Sequence, residues 1–188
     1  MAEKTTMAWA KEYAKQFMQM PDRYKELIIE FIYIFAMEDD ADKIRVLMDI
    51  IGFPEECESP IEQILWVCLQ VYPLVSDEDY YFETQTEVEV NGKNYRLDFL
   101  YSEDYDKEVE KPFRLAIECD GHDFHEKTKE QVEKRNKRDM DLKMAGYDVL
   151  HYSGSQIFKK PMGCVIDIFD YITKQLKEKG HETNKENR

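Results

Sequence analysis

Glycine is scarce in this chain of 188 residues, at seven, and only four cysteines occur. So few glycines include no phosphate-cradling Gly-rich loop, which argues against a nucleotide-driven motor. The Gly-x-Ser-x-Gly elbow of serine hydrolases is absent too. Cys57, Cys68, Cys119 and Cys164 form no Cys-x-x-Cys pair and sit in apolar or strand-like contexts. They read as reduced thiols in a cytoplasmic protein. Long hydrophobic runs are missing as well. The stretches LIIEFIYIFAM (27–37) and ILWVCLQVYPLV (64–75) are too short and too interrupted to span a bilayer. The opening MAEKTTMAWAKEY holds no apolar signal-peptide core. No membrane role is therefore expected. Positive charge is also in deficit: 26 Lys and Arg against 40 Asp and Glu give −14, which argues against indiscriminate coating of nucleic acid.

The deficit is uneven. Residues 1–58 carry 7 basic and 13 acidic side chains, residues 59–110 carry 3 and 13, and residues 111–173 carry 11 of each. Only the last of these segments would not repel a polyanion. Apolar residues make up 43% of the chain and aromatics 13%, enough for the core of one domain plus an extra helical subdomain.

Helical spacing predicts helices over 7–20, 22–37 and 41–51, a helical N-terminal subdomain spanning 1–58. Ser59-Pro60-Ile61-Glu62 then predicts a helix start with Ser59 as N-cap, running to about Tyr72. Beyond it the period changes to two. FETQTEVEV (82–90) and NYRLDFLY (94–101) flank Asn91-Gly92, a strong hairpin signal. A third strand is expected over 113–119, a charged helix over about 123–145 ending near Gly146, a fourth strand over 147–152, and a last helix over about 155–177. Residues 177–188 read as a disordered tail. The order predicts an α/β domain over 59–176, an α+β mixed sheet with Asp98 and Glu118 on neighbouring central strands.

Chemistry concentrates in IECDGHDFH (117–125). Two carboxylates on adjacent strands repel unless a cation bridges them, and a buried unpaired carboxylate is costly. Asp98 and Glu118 therefore point to a divalent metal suited to phosphodiester hydrolysis. Other readings stand beside this one. Asp98 could pair with Arg96 or Arg114. Asp120 before Gly121 is a natural turn pair. Glu62 fits a capping box as well as a metal site. Cys119, His122 and His125 are zinc-type ligands, though their spacing is short and a fourth ligand is missing. The helix after the motif carries Lys127, Lys129, Lys134, Arg135, Lys137 and Arg138 with little apolar content. It is either a solvated helix with Glu130–Lys134 and Glu133–Lys137 pairs or a phosphate-contacting one.

Asp98, Glu118-Cys119-Asp120-Gly121, His125, Arg138-Asp139-x-x-Leu142-x-x-x-Gly146, YDVLHY and GSQI (154–157) together resemble the PD-(D/E)XK nuclease superfamily. The nearest branch is that of small domains related to very-short-patch-repair endonucleases. The resemblance covers roughly 59–172 and implies a restriction-endonuclease-like core behind a helical N-terminal extension. It implies a DNA endonuclease using Mg2+ or Mn2+. Asp98 and Glu118 would hold the metal, with the carbonyl of Cys119 and with Glu62 as the first-helix acid. Asp120 stands where the superfamily's lysine orients the attacking water, so that role passes to Asp120 with Lys127 or Gln131. Asn136 occupies the place of a further acid. His125 would lie near the phosphate, and Lys134, Arg135 and Arg138 along the nucleic acid. DNA is the partner implied; a homodimer, and a protein partner on the acidic N-terminal helices, are open. A nuclease-fold module that binds without cutting is the alternative.

Overall fold

A computed structural model describes residues 17–37, 39–50, 57–76, 78, 80–104, 109–121 and 128–179. The helices are α1 (Asp22–Met37), α2 (Ala41–Ile50), α3 (Pro60–Val71), α4 (Lys129–Met144), α5 (Gly154–Lys159) and α6 (Pro161–Glu178). The strands are β1 (Phe82–Val90), β2 (Lys93–Ser102), β3 (Arg114–Asp120) and β4 (Tyr147–Ser153). They form one mixed sheet in the order β1-β2-β3-β4, antiparallel except for the parallel β3–β4 pair. The expected α+β class and the adjacency of the strands carrying Asp98 and Glu118 are both present.

Local chemistry sets the element ends. At α3 the Ser59 hydroxyl accepts from the Glu62 N–H and Pro60 fills the first helical position, where no N–H is needed. Asn91 and Gly92 both have positive φ, 53° and 72°, as a two-residue primed hairpin turn requires. Gly146, with φ 91°, follows α4 and ends it. Thr128 and Gln131 form a reciprocal capping box at the start of α4. The single last helix expected over 155–177 is in fact two. Lys160, preceding Pro161, sits at φ −142°, and the proline opens a new helix there.

The two faces of the sheet are unequal. On one, α1, α2, α3 and α6 enclose a large core in which Phe35, Leu65, Phe99, Ile117 and Phe169 are fully buried. The N-terminal helices share that core. On the other face a small cluster of Val90, Leu97, Leu100, Ala116 and Leu142 lies under α4, of which only Leu142 is buried. Helix α4 is thus pinned by one apolar residue and by polar contacts. Phe169 lies 4.5 Å from the Tyr72 ring and 5.7 Å from that of Phe82, at the centre of the large core. Phe169→Ala is expected to cost about 3–5 kcal/mol, measured as a lowered denaturant midpoint with an unchanged slope. Among the described residues no helix is long and apolar enough to cross a membrane.

Candidate functional site

Pairing of β2 with β3 ends at Phe99 and Ile117, and the next residues along are Asp98 and Glu118. The two acids therefore stand at one level of adjacent strands. Asp98 Oδ2 accepts the Cys119 N–H at 2.7 Å. Glu118 Oε1 accepts from Arg138 of α4 at 2.7 Å, and the same guanidinium nitrogen donates to the Arg96 carbonyl at 2.7 Å. The second oxygen of each acid has no hydrogen-bond partner among the described residues. The strand-edge alternative for Asp98 does not apply, because Arg96 pairs with Glu58 and Arg114 with Asp104.

Both acids resist ionisation. Burial pushes Glu118 up to about 7 from its ordinary 4.5, the Arg138 bond opposes the rise, and the Asp98 charge adds to it. Burial also raises Asp98, against the Cys119 N–H and with the Glu62 charge. Burial disfavours charge on Arg138 as well, but the Glu118 carboxylate outweighs it and holds the guanidinium protonated. One ion pair thus has two outcomes: burial dominates at the carboxylate, and the partner's charge dominates at the arginine.

Two residues along β3, Asp120 Oδ2 lies 3.7 Å from Arg135 and 3.2 Å from His151 Nδ1. His151 Nε2 in turn meets Asp139 Oδ2 at 3.1 Å. Arginines three apart on α4 thus stand against carboxylates two apart on β3, which a helical row and one face of a strand permit. The expected Glu130–Lys134 and Glu133–Lys137 pairs are not formed; the arginines of α4 bond across to the sheet instead.

Glu118, Asp120 and His151 line a cleft of about 730 Å³ between β2 and α4, and Asp98 lies behind Glu118 rather than in its lining. Six basic residues also line it: Lys93, Arg96, Lys134, Arg135, Lys137 and Arg138. Four of them are engaged by acids: Lys93 with Asp141, Arg96 with Glu58, and Arg135 and Arg138 with the β3 acids Asp120 and Glu118. Lys134 and Lys137 have no ion-pair partner among the described residues. Lys134, Arg135 and Arg138, expected along a nucleic acid, all line this cleft. Gln131 also lines the cleft, but its carbonyl oxygen accepts the Thr128 N–H at 2.8 Å, so its first role is capping.

Glu62 is 7% exposed and accepts from the Ser59 hydroxyl at 2.6 Å, the Glu58 N–H at 2.8 Å and the Gln85 amide at 2.7 Å. It is a capping residue, and its charge also reaches Asp98. His122, His125 and Lys127 lie outside the described residues, as do 7–16 of the first expected helix and 180–188 of the expected tail. The Cys119 thiol packs against the large core and burial pushes its proton affinity far up, which disfavours the thiolate that zinc requires. Among the described residues no three of His, Cys, Asp and Glu converge as a ready-made metal group.

His151 and Gln85 were not singled out in the sequence, and Asp139 was named only within the Arg138-Asp139 motif. His151 had a legible signal: in YDVLHY it alternates in phase with Val149, and a parallel neighbour sets it beside Glu118. No family model, no curated protein and no solved structure matches the chain.

Proposed function

We propose that the chain is a metal-dependent nuclease of the PD-(D/E)XK superfamily, with a restriction-endonuclease-like core, hydrolysing DNA phosphodiester bonds with Mg2+ or Mn2+. The observation carrying this reading is one coincidence. A buried and a half-buried carboxylate, both hard to ionise, share a level on adjacent strands, and a basic cleft lies beside them in a chain of net charge −14. The order helix, three strands, helix, strand from Pro60 to Ser153 supports it.

The residues fit such an ion. Mg2+ is commonly held by one or two carboxylates, with waters and phosphate oxygens completing its shell. Asp98 and Glu118 each keep one oxygen unengaged among the described residues. A bound divalent cation would neutralise charge on the reacting phosphate and acidify a water. Asp120 accepts a hydrogen bond from the attacking water, in the place of the superfamily's lysine. Lys134 and Lys137 grip phosphates flanking the scissile one. Replacing both by alanine should lower the slope of log affinity against log salt by about two and leave stability nearly unchanged. Binding isotherms across a salt series measure it.

A second reading is favoured by one observation: Arg138 already serves Glu118 as a counter-ion, and Arg135 stands beside Asp120. A module so neutralised binds nucleic acid, or a protein partner, without cutting. Incubating the protein with duplex, nicked, branched and single-stranded DNA, with Mn2+ or a chelator, separates the two. Chelator-sensitive cleavage of any form supports the nuclease; DNA binding with no cleavage of any form selects the module.

A further inference from the structure

We infer that Gln85 is a positioning residue of this site, holding Glu62 from a left-handed kink in β1 at the level of Asp98. The inference rests on the metal-dependent reading above.

Three described non-glycine residues have positive φ: Asp39, Gln85 and Asn91. Asp39 and Asn91 belong to the turns between α1 and α2 and between β1 and β2. Gln85, at φ 49°, lies inside a strand, where such backbone is costly and persists only if its surroundings impose it. Strand pairing lapses at this level. Thr84 pairs with Phe99 and Thr86 with Leu97, while Gln85 and Asp98, which face each other between them, do not pair.

Both strands change sides there. Phe82, Phe99 and Tyr101 belong to the large core, whereas Val88, Val90, Tyr95 and Leu97 belong to the small cluster under α4. Strict alternation would keep all the odd-numbered residues of β2 on one face. The kink lets one hairpin serve both cores, and it puts Asp98 at the crossing.

Architecture alone explains the kink but not the glutamine. Glycine adopts this conformation at no steric cost, and asparagine and aspartate tolerate it better than most residues. The glutamine brings an amide that reaches across to α3. Its Nε2 donates to Glu62 Oε2 at 2.7 Å, and its carbonyl oxygen is buried with no donor among the described residues. Together with the Glu58 N–H and the Ser59 hydroxyl, that amide completes three donors fixing the Glu62 carboxylate, from the strand position across from Asp98. Outer partners of this kind orient the groups that touch an ion and tune its affinity.

Gln85→Gly separates the two roles, since it accepts the kink and lacks the amide. Gln85→Asn keeps an amide one methylene too short to reach. Both variants should unfold at a denaturant midpoint no lower than the parent's. Their Mn2+ affinity by calorimetry should fall roughly tenfold to a hundredfold. In DNA cleavage kcat should fall with KM unchanged, because neither Gln85 nor Glu62 lines the basic cleft. Gln85→Gly binding Mn2+ as tightly as a parent that does bind it overturns the inference alone. A parent that binds no Mn2+ overturns both the inference and the nuclease reading.

Discussion

Asp98→Ala and Glu118→Ala should each reduce manganese-dependent DNA cleavage about a thousandfold or more, with DNA affinity little changed. The expected size follows from the role. A group that stabilises charge only as it develops in the reaction lowers kcat when removed, and single such groups are worth on the order of a hundred- to a thousandfold. Loss of an ion that two carboxylates hold jointly exceeds the loss of one donor. In the proposed reading, affinity would come from elsewhere, from Lys134, Lys137 and their neighbours along the cleft. Glu118→Ala also leaves the Arg138 guanidinium short of its counter-charge. Removing one partner of a fully buried pair costs about 3–5 kcal/mol, and less where, as here, the arginine side chain keeps 21% of its exposure. Glu118→Gln is the cleaner variant, because the amide oxygen can still accept from Arg138. It should fold normally and cleave no better than the alanine variant.

Raising pH in the absence of divalent ions should weaken the fold. The Glu118 carboxyl titrates near 4.5 when unfolded and near 7 when folded. Below the lower value both states carry the proton and its stabilising contribution is fully present. As pH rises, the unfolded chain gives up its proton first, and the contribution is lost through about pH 7. A difference of this size corresponds to about 3 kcal/mol, or roughly 6–12 °C in melting temperature for a chain of this length. Burial shifts Asp98 in the same direction and adds to the loss. A divalent ion held by both acids reverses the effect, since it favours the charged forms. At about pH 8, Mn2+ should therefore raise the melting temperature by much of what the pH shift removed. Glu118→Gln, which mimics the protonated acid, should melt higher than the parent at that pH without Mn2+ and respond little to it. Thermal melts of both proteins at about pH 5 and about pH 8, with and without Mn2+, measure all of this.

The sequence made the frame of the site legible. Period-two alternation in NYRLDFLY and FRLAIEC, consecutive strands after the Asn91-Gly92 hairpin, was enough to set Asp98 beside Glu118. Ser59-Pro60-Ile61-Glu62 announced its own cap. The partners of those acids were not legible. Which residues of α4 face the sheet is ordinarily read from an apolar stripe, and this helix buries Leu142 alone. The rotation that aims Arg135 and Arg138 at β3 is set by ion pairs, which leave no periodic trace. The side-switch of the hairpin was hidden as well. Thr84-Gln85-Thr86 reads as unbroken strand, and nothing in a glutamine signals left-handed backbone. The break at Lys160-Pro161 was visible in principle, because a residue before proline resists helix, but the apolar periodicity on either side masked it.

The measurement that bears most directly on this account is a calorimetric titration of the protein with Mn2+ at about pH 8, beside Asp98→Asn and Glu118→Gln. The account predicts one Mn2+ site in the parent and its loss in both variants, each still folded. A parent that takes up no Mn2+, or a variant that binds it undiminished, would contradict it.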